Sequence, residues 1–169
     1  EVDAVVVNLF EGVTKPGGVT GAVDRALNGA VTDLIDQGEI RGERHEITLV
    51  HTMGMIKPAR VLVLGLGKQE TFDIDRVRRA MAMASRFLRE RGVRTLATVC
   101  HGAGIGKLDA RESAEAVIAG SLLGLYRFHK YKTNSLAEKD IDSLMIVEQD
   151  PSKIDDIRSG IADGKMVSD

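Results

Sequence analysis

The sequence predicts an α/β protein, a three-layer α/β/α sandwich built on a mixed, mostly parallel sheet. Three observations predict it. Short β-rich apolar runs alternate with longer segments of helical periodicity, which is the βαβ pattern. Two of the strand-like runs, 46–52 and 60–66, are separated only by "MGMIKPA". A parallel crossover needs a dozen or more residues, so this pair must be antiparallel if it pairs at all. The run "RVLVLGL" (60–66) is apolar at alternate and intervening positions alike, as a strand covered on both faces should be.

Each element follows from its own pattern. Val2–Phe10 is a β-rich run suited to a central strand, and Lys15–Gly21 reads as a glycine-rich loop. From Ala22 to Gln37, Val23, Leu27, Val31, Leu34 and Ile35 recur at three and four residues, predicting one helix that Gly38 stops. Glu46–Thr52 and Arg60–Leu66 are the second and third strands. Asp73 is a suitable N-cap for a helix through Arg91, with Ile74, Val77, Met81, Ala84 and Leu88 on one face. Val93–Cys100 is the fourth strand. Asp109 and Glu112 have the spacing of a capping box, opening a helix to about Phe128. Ser143–Val147 is the fifth strand, and Pro151 opens a short helix.

Composition narrows the function classes. The 169 residues are 43% hydrophobic and 28% charged, a globular balance with enough chain for one core, and the net charge of −2 gives no global pull toward nucleic acid or membrane. No apolar run reaches the length of a membrane span. The single cysteine, Cys100, forbids an internal disulfide, which suits a reducing cytoplasm. The chain opens at Glu1 directly into a strand and ends in "IADGKMVSD" without a closing element, so a piece of a longer protein is expected.

The most conspicuous motif is "HGAGIGKLD" (101–109), a glycine run between strand and helix. A Walker A loop would require glycine at His101 and Ser or Thr at Leu108. The dinucleotide fingerprint would require glycine at Lys107. Both fail, which favours a structural turn. The alternative is an anion-binding loop of Gly102, Gly104, Gly106 and Lys107, because free amides and a lysine before a helix N-terminus suit phosphate. Cys100 and His101 are adjacent, but neighbouring strand residues point to opposite faces, so they are not expected to form a catalytic pair. His45, His51, His101 and His129 are scattered, and no metal-ligand spacing is present. No catalytic residue, metal ligand or cofactor site is therefore assigned to this chain. The arginine-rich helix offers Arg76, Arg79, Arg86 and Arg89 as a basic interaction surface, against the plainer reading of a solvated face. In "GSLLGLYRFHKYK" (120–132), Gly120 and Gly124 imply close backbone approach, to the sheet or to a partner subunit. Its aromatics, Tyr126, Phe128 and Tyr131, are expected to finish the core.

"HTMGMIKPARVLVLGLGKQETFDIDRVRRAMAMA" (51–84) and "AVIAGSLLGLYRFHKYKTN" (116–134) resemble the N-terminal domain of the leucyl (cytosol) aminopeptidase family, and the likeness runs from about Val2 to Gln149. The resemblance implies a macro-domain-like fold over 1–150, and it makes 151–169 a helical linker toward a C-terminal catalytic domain absent here. It implies two divalent metal ions, Zn or Mn, held by that domain, and a homohexamer. The partners of this chain would then be its own catalytic domain and sister subunits, in the cytoplasm and away from membranes. The family's "NTDAEGR" and "GKGITFDSGG" segments do not occur in this sequence. The expected role is therefore non-catalytic: assembly and control of access to the active sites. Macro domains that bind ADP-ribose carry a glycine-rich loop after a late strand, which keeps the phosphate reading of 102–107 as the alternative. Some family members bind DNA with this domain, which keeps the arginine helix as a weaker one, although nucleic acid is not the expected partner.

Overall fold

The computed structural model describes residues 1–104, 106–126 and 140–168. Five strands and five helices follow in the order β1 (Ala4–Leu9), α1 (Gly18–Ala26), α2 (Ala30–Asp36), β2 (Ile47–His51), β3 (Arg60–Gly65), α3 (Ile74–Glu90), β4 (Thr95–Thr98), α4 (Ala110–Leu125), β5 (Ser143–Ile146) and α5 (Ile154–Ser168). The strands lie in the order β2-β3-β1-β4-β5. β1 is parallel to β3 and β4, and β4 is parallel to β5. β2 runs antiparallel to β3, with Ile47 opposite Leu64 and His51 opposite Arg60, as the short connection requires.

Alternation along the strands builds two cores. On one face Val7, Leu9, Val61 and Val63 meet Leu27 and Val31 of the α1–α2 region. On the other, Ala4, Val6, Leu62, Leu64 and Leu96 pack under Val77, Met81, Ala84 and Leu88 of α3 and under Ala116 and Val117 of α4. Helices thus cover both faces of a mixed sheet, the expected three-layer arrangement. α5 lies along α4, where Ile157 meets Ala110 and Ala114.

The single helix expected over 22–37 is two helices. The chain turns at Asn28 (φ 55°) and Gly29 (φ 85°), both left-handed. Asp24, buried in α1, caps the second helix. Its carboxylate accepts from the amides of Val31 (2.8 Å) and Thr32 (3.0 Å) and from the Thr32 hydroxyl (2.6 Å). Such charge-assisted bonds contribute on the order of 1.5–3 kcal/mol each. The Asn-Gly pair is the turn signal that hydrophobic spacing masked. α1 also begins earlier than expected, at Gly18, inside the segment read as a loop. There Thr20 is buried and donates to the Asn8 carbonyl at 2.7 Å.

α3 and α4 start where their caps predict. Asp73 accepts from the Arg76 amide, and Asp109 and Glu112 form a reciprocal capping box. Gly120 and Gly124 face α3 rather than the sheet. A Cβ at either would run into the backbone of α3, at Arg78 and Ala82 respectively. Gly160 and Gly164 of α5 stand against α4 in the same way, at Arg111 and Glu115. α4 is therefore held between two helices, each contact resting on glycines four residues apart. Arg78 fastens the α3–α4 seam with a 2.8 Å ion pair to Glu115. α4 ends at Leu125, and Tyr126 is 73% exposed rather than part of the core. Phe128 and Tyr131 lie outside the described residues. Pro151 opens a 3-10 turn, and the helix that follows it has 15 residues rather than being short.

Candidate functional site

β1, β3 and β4 are mutually parallel, so their C-terminal ends open on one side, where ligands bind in α/β sheets. The glycine loop leaves β4 at this end. Its first residue, His101, is wholly buried and bonded on both ring nitrogens, at 2.7 Å to Asn8 Nδ2 and 2.8 Å to Thr98 Oγ1. The amide nitrogen of Asn8 only donates, so Nδ1 accepts and Nε2 carries the proton to Thr98. The Thr98 hydroxyl then donates to the Val6 carbonyl at 3.3 Å. Burial pushes the imidazole pKa down to about 4, so His101 is neutral near pH 7. The His101 carbonyl accepts from Ser113 of α4 at 2.8 Å, tying the loop to the helix it precedes.

Three amides of the loop are taken by carbonyls of the same loop. The Ala103 amide donates to Cys100, Lys107 to Gly104, and Leu108 to Gly102. A Cβ at Gly102 would strike the Phe72 ring, and one at Gly106 would stand 2.5 Å from both Phe72 and the Gly102 carbonyl. Phe72 meets Phe10 edge to face, with ring centroids 5.1 Å apart. An aromatic pair from two other loops thus lies against these glycines. Gly104 faces open space at φ 90°, and Lys107 is exposed at φ 60°. Asp109 and Glu112 occupy each other's backbone amides at the start of α4, which puts two carboxylates where an anion would sit.

Cys100 is buried and its thiol pKa is raised to about 11, chiefly by burial, which leaves it a poor nucleophile. Among the described residues, no group of three or more His, Cys, Asp or Glu side chains is placed to hold a metal ion. His45 and His51 are exposed, and His129 lies outside the described residues.

The four arginines of the proposed basic surface have separate situations. Arg76 donates to the carbonyls of Leu66 and Lys68 and to the Thr71 hydroxyl, bracing the loop after β3. Arg89 is buried and donates to the Leu125 carbonyl at the C-terminus of α4, so it is not on the surface. Arg79 and Arg86 are exposed, and Arg86 folds back onto the Ala82 carbonyl at 3.3 Å.

This architecture has relatives. The family model described as "Cytosol aminopeptidase family, N-terminal domain" matches residues 6–135. The chain belongs to the cytosol aminopeptidase family, as its N-terminal domain. It is 28% identical, over 169 residues, to a probable cytosol aminopeptidase of Alkaliphilus metalliredigens, covering 99% of this chain and 34% of that relative. The chain therefore spans about a third of that relative's length. A mutant of tomato leucine aminopeptidase superposes with a TM-score of 0.70 at 16% identity, covering 95% of this chain and 32% of that one. A Trypanosoma brucei macrodomain in complex with ADP superposes with a TM-score of 0.72 at 14% identity, covering 95% of this chain and 63% of that one. Likenesses at this identity show the fold, which is macrodomain-like.

In this aminopeptidase-family domain, the residues that shape the loop end of the sheet include three that motif reading passed over: Asn8, Phe72 and Ser113. Asn8 and Ser113 sit in no motif, and Phe72 lies in the segment 51–84 without a role that local spacing assigns. Each acts through a partner at least 12 residues away in the chain.

Proposed function

We propose that this N-terminal domain is the non-catalytic part of a metal-dependent leucyl aminopeptidase, serving subunit assembly and control of access to active sites in a separate C-terminal domain. The observation that carries the reading is the family match over residues 6–135. In this reading residues 1–150 are the macro-like unit and 151–169 lead toward the catalytic domain. That domain holds two Zn or Mn ions, and the whole assembles as a homohexamer in the cytoplasm. Exposed apolar side chains support an assembly role: Leu122, Leu123 and Tyr126 at the end of α4, and Met166 and Val167 at the end of α5. Exposed apolar clusters of this kind are characteristic of interaction sites.

The isolated chain should show no turnover of an aminoacyl chromogenic substrate in excess manganese or zinc. Activity that survives further purification and is abolished by chelator would overturn the reading. In the full-length protein, Leu123→Asp with Tyr126→Asp should shift sedimentation toward smaller species; unchanged assembly would remove this surface from the account.

A second reading has specific support. The left-handed Gly102, Gly104 and Lys107 precede a helix N-terminus, and the T. brucei macrodomain of the same fold was solved with ADP. Gly102, Gly104, Gly106 and Lys107 would then bind a phosphorylated nucleotide. Calorimetry with ADP-ribose, alongside Lys107→Ala, tests it. Micromolar binding lost in the variant would favour it over a structural turn.

A further inference from the structure

The β2 edge of the sheet has features that neither the assembly role nor the glycine loop uses. β2 is terminal in the strand order, with β3 on one side and no strand on the other among the described residues. Its register decides which backbone groups are free. The Gly65 amide donates to Glu46 and the Thr52 amide to Ala59. By antiparallel alternation Thr48 and Val50 then face β3, while the N–H and C=O groups of Ile47, Leu49 and His51 face outward.

Beside this edge lies a groove between β2 and α3. Its floor is apolar, formed by Ile47, Leu64, Ala80 and Met83, and Arg44 and Arg79 stand at its rim. Both arginines are exposed, and among the described residues neither has a carboxylate partner. The other charged groups that line it are committed. Glu46 accepts from the amides of Arg41 (2.8 Å) and Glu43 (3.0 Å), and Arg76 braces Leu66, Lys68 and Thr71.

We propose that the free edge of β2 and the adjoining groove form a docking surface for an extended acidic peptide segment of another protein, which adds to the sheet as a sixth strand. Backbone bonds to Ile47, Leu49 and His51 would supply affinity, an apolar side chain would enter the groove, and flanking carboxylates would meet Arg44 and Arg79. Charge complementarity selects this occupant. The proposal is independent of the assembly role.

A fluorescein-labelled peptide of alternating glutamate and valine, titrated into the 169-residue chain by anisotropy, tests it. Saturable binding is expected. It should weaken about tenfold in Arg44→Glu with Arg79→Glu, equivalent to about 1.4 kcal/mol, and those exposed substitutions should leave the circular dichroism spectrum unchanged. Hydrogen exchange should slow at the amides of Ile47, Leu49 and His51 when the peptide is bound. A lysine–valine peptide should bind the charge-reversed variant better than the parent. Absence of acidic-peptide binding at millimolar concentration would overturn the proposal, as would protection confined to other strands. Two further results would also overturn it: a dimer that Leu49→Pro dissolves, or an oligonucleotide that outcompetes the peptide and is itself lost on charge reversal.

Discussion

Gly102, Gly104 and Gly106 follow β4 in a loop, and Gly120 and Gly124 stand one turn apart in α4. Both sets make room, but for different neighbours. In α4 the obstacle to a side chain is the backbone of α3, at Arg78 and Ala82. Two helices can accommodate a Cβ there only by moving apart along their whole seam. In the loop the obstacle at Gly102 is the Phe72 ring, at Gly106 it is that ring together with the Gly102 backbone, and at Gly104 there is none. A ring can rotate or shift where a helix axis cannot. A glycine's importance is thus set by what it faces, and within the conspicuous glycine run Gly104 is the position with room for a side chain.

The largest effect should come from the α3–α4 seam. Gly120→Val is expected to cost upwards of about 3 kcal/mol, because overpacking there meets backbone rather than side chain. Urea denaturation of Gly120→Val and Gly124→Val measures it. A loss no greater than that of Gly104→Val would break the comparison.

Acid should reach the base of the loop next. Buried His101 has a pKa of about 4 in the folded chain, against an ordinary value near 6.5. Between these values the unfolded chain binds more protons, so stability falls as pH drops through this window. The loss from this residue approaches ~3 kcal/mol by pH 4. His101→Gln should be less stable at pH 7 but flatter with pH. An unchanged slope in the variant would show that other groups carry the pH dependence.

Phe72→Ala sharpens the account of the loop. It removes the ring from Gly102 and Gly106 and should destabilise by about 2 kcal/mol, less than loss of a fully buried phenylalanine, since Phe72 is only partly buried. The variant also tests the nucleotide reading, because ADP-ribose binding that appears only after removal of the ring would mark Phe72 as the group that occupies the loop. The smallest effect belongs to Gly104→Ala, about 1 kcal/mol, from its left-handed φ alone. A loss as large as that of Gly120→Val would mean that the loop is packed more tightly than its open side shows.

Several parts of the molecule were determined by the sequence alone. Asp73 and the Asp109–Glu112 box start their helices because a side-chain oxygen reaches amides only three residues on. β2 and β3 are antiparallel because seven residues cannot carry a crossover. The stripe from Ile74 to Leu88 faces the sheet because its helical spacing leaves no other continuous apolar face. Each of these depends on interactions within a few residues. Only the tertiary structure decided the break at Asn28–Gly29, where capping by Asp24 defeats an uninterrupted apolar spacing. It also decided the burial of Arg89 against the end of α4, the placing of Phe72 over the glycine loop, and the contact of Gly120 and Gly124 with α3 rather than the sheet. In these cases the deciding neighbour lies in another element. Its position follows from how whole helices and strands cross, which local sequence pattern does not encode.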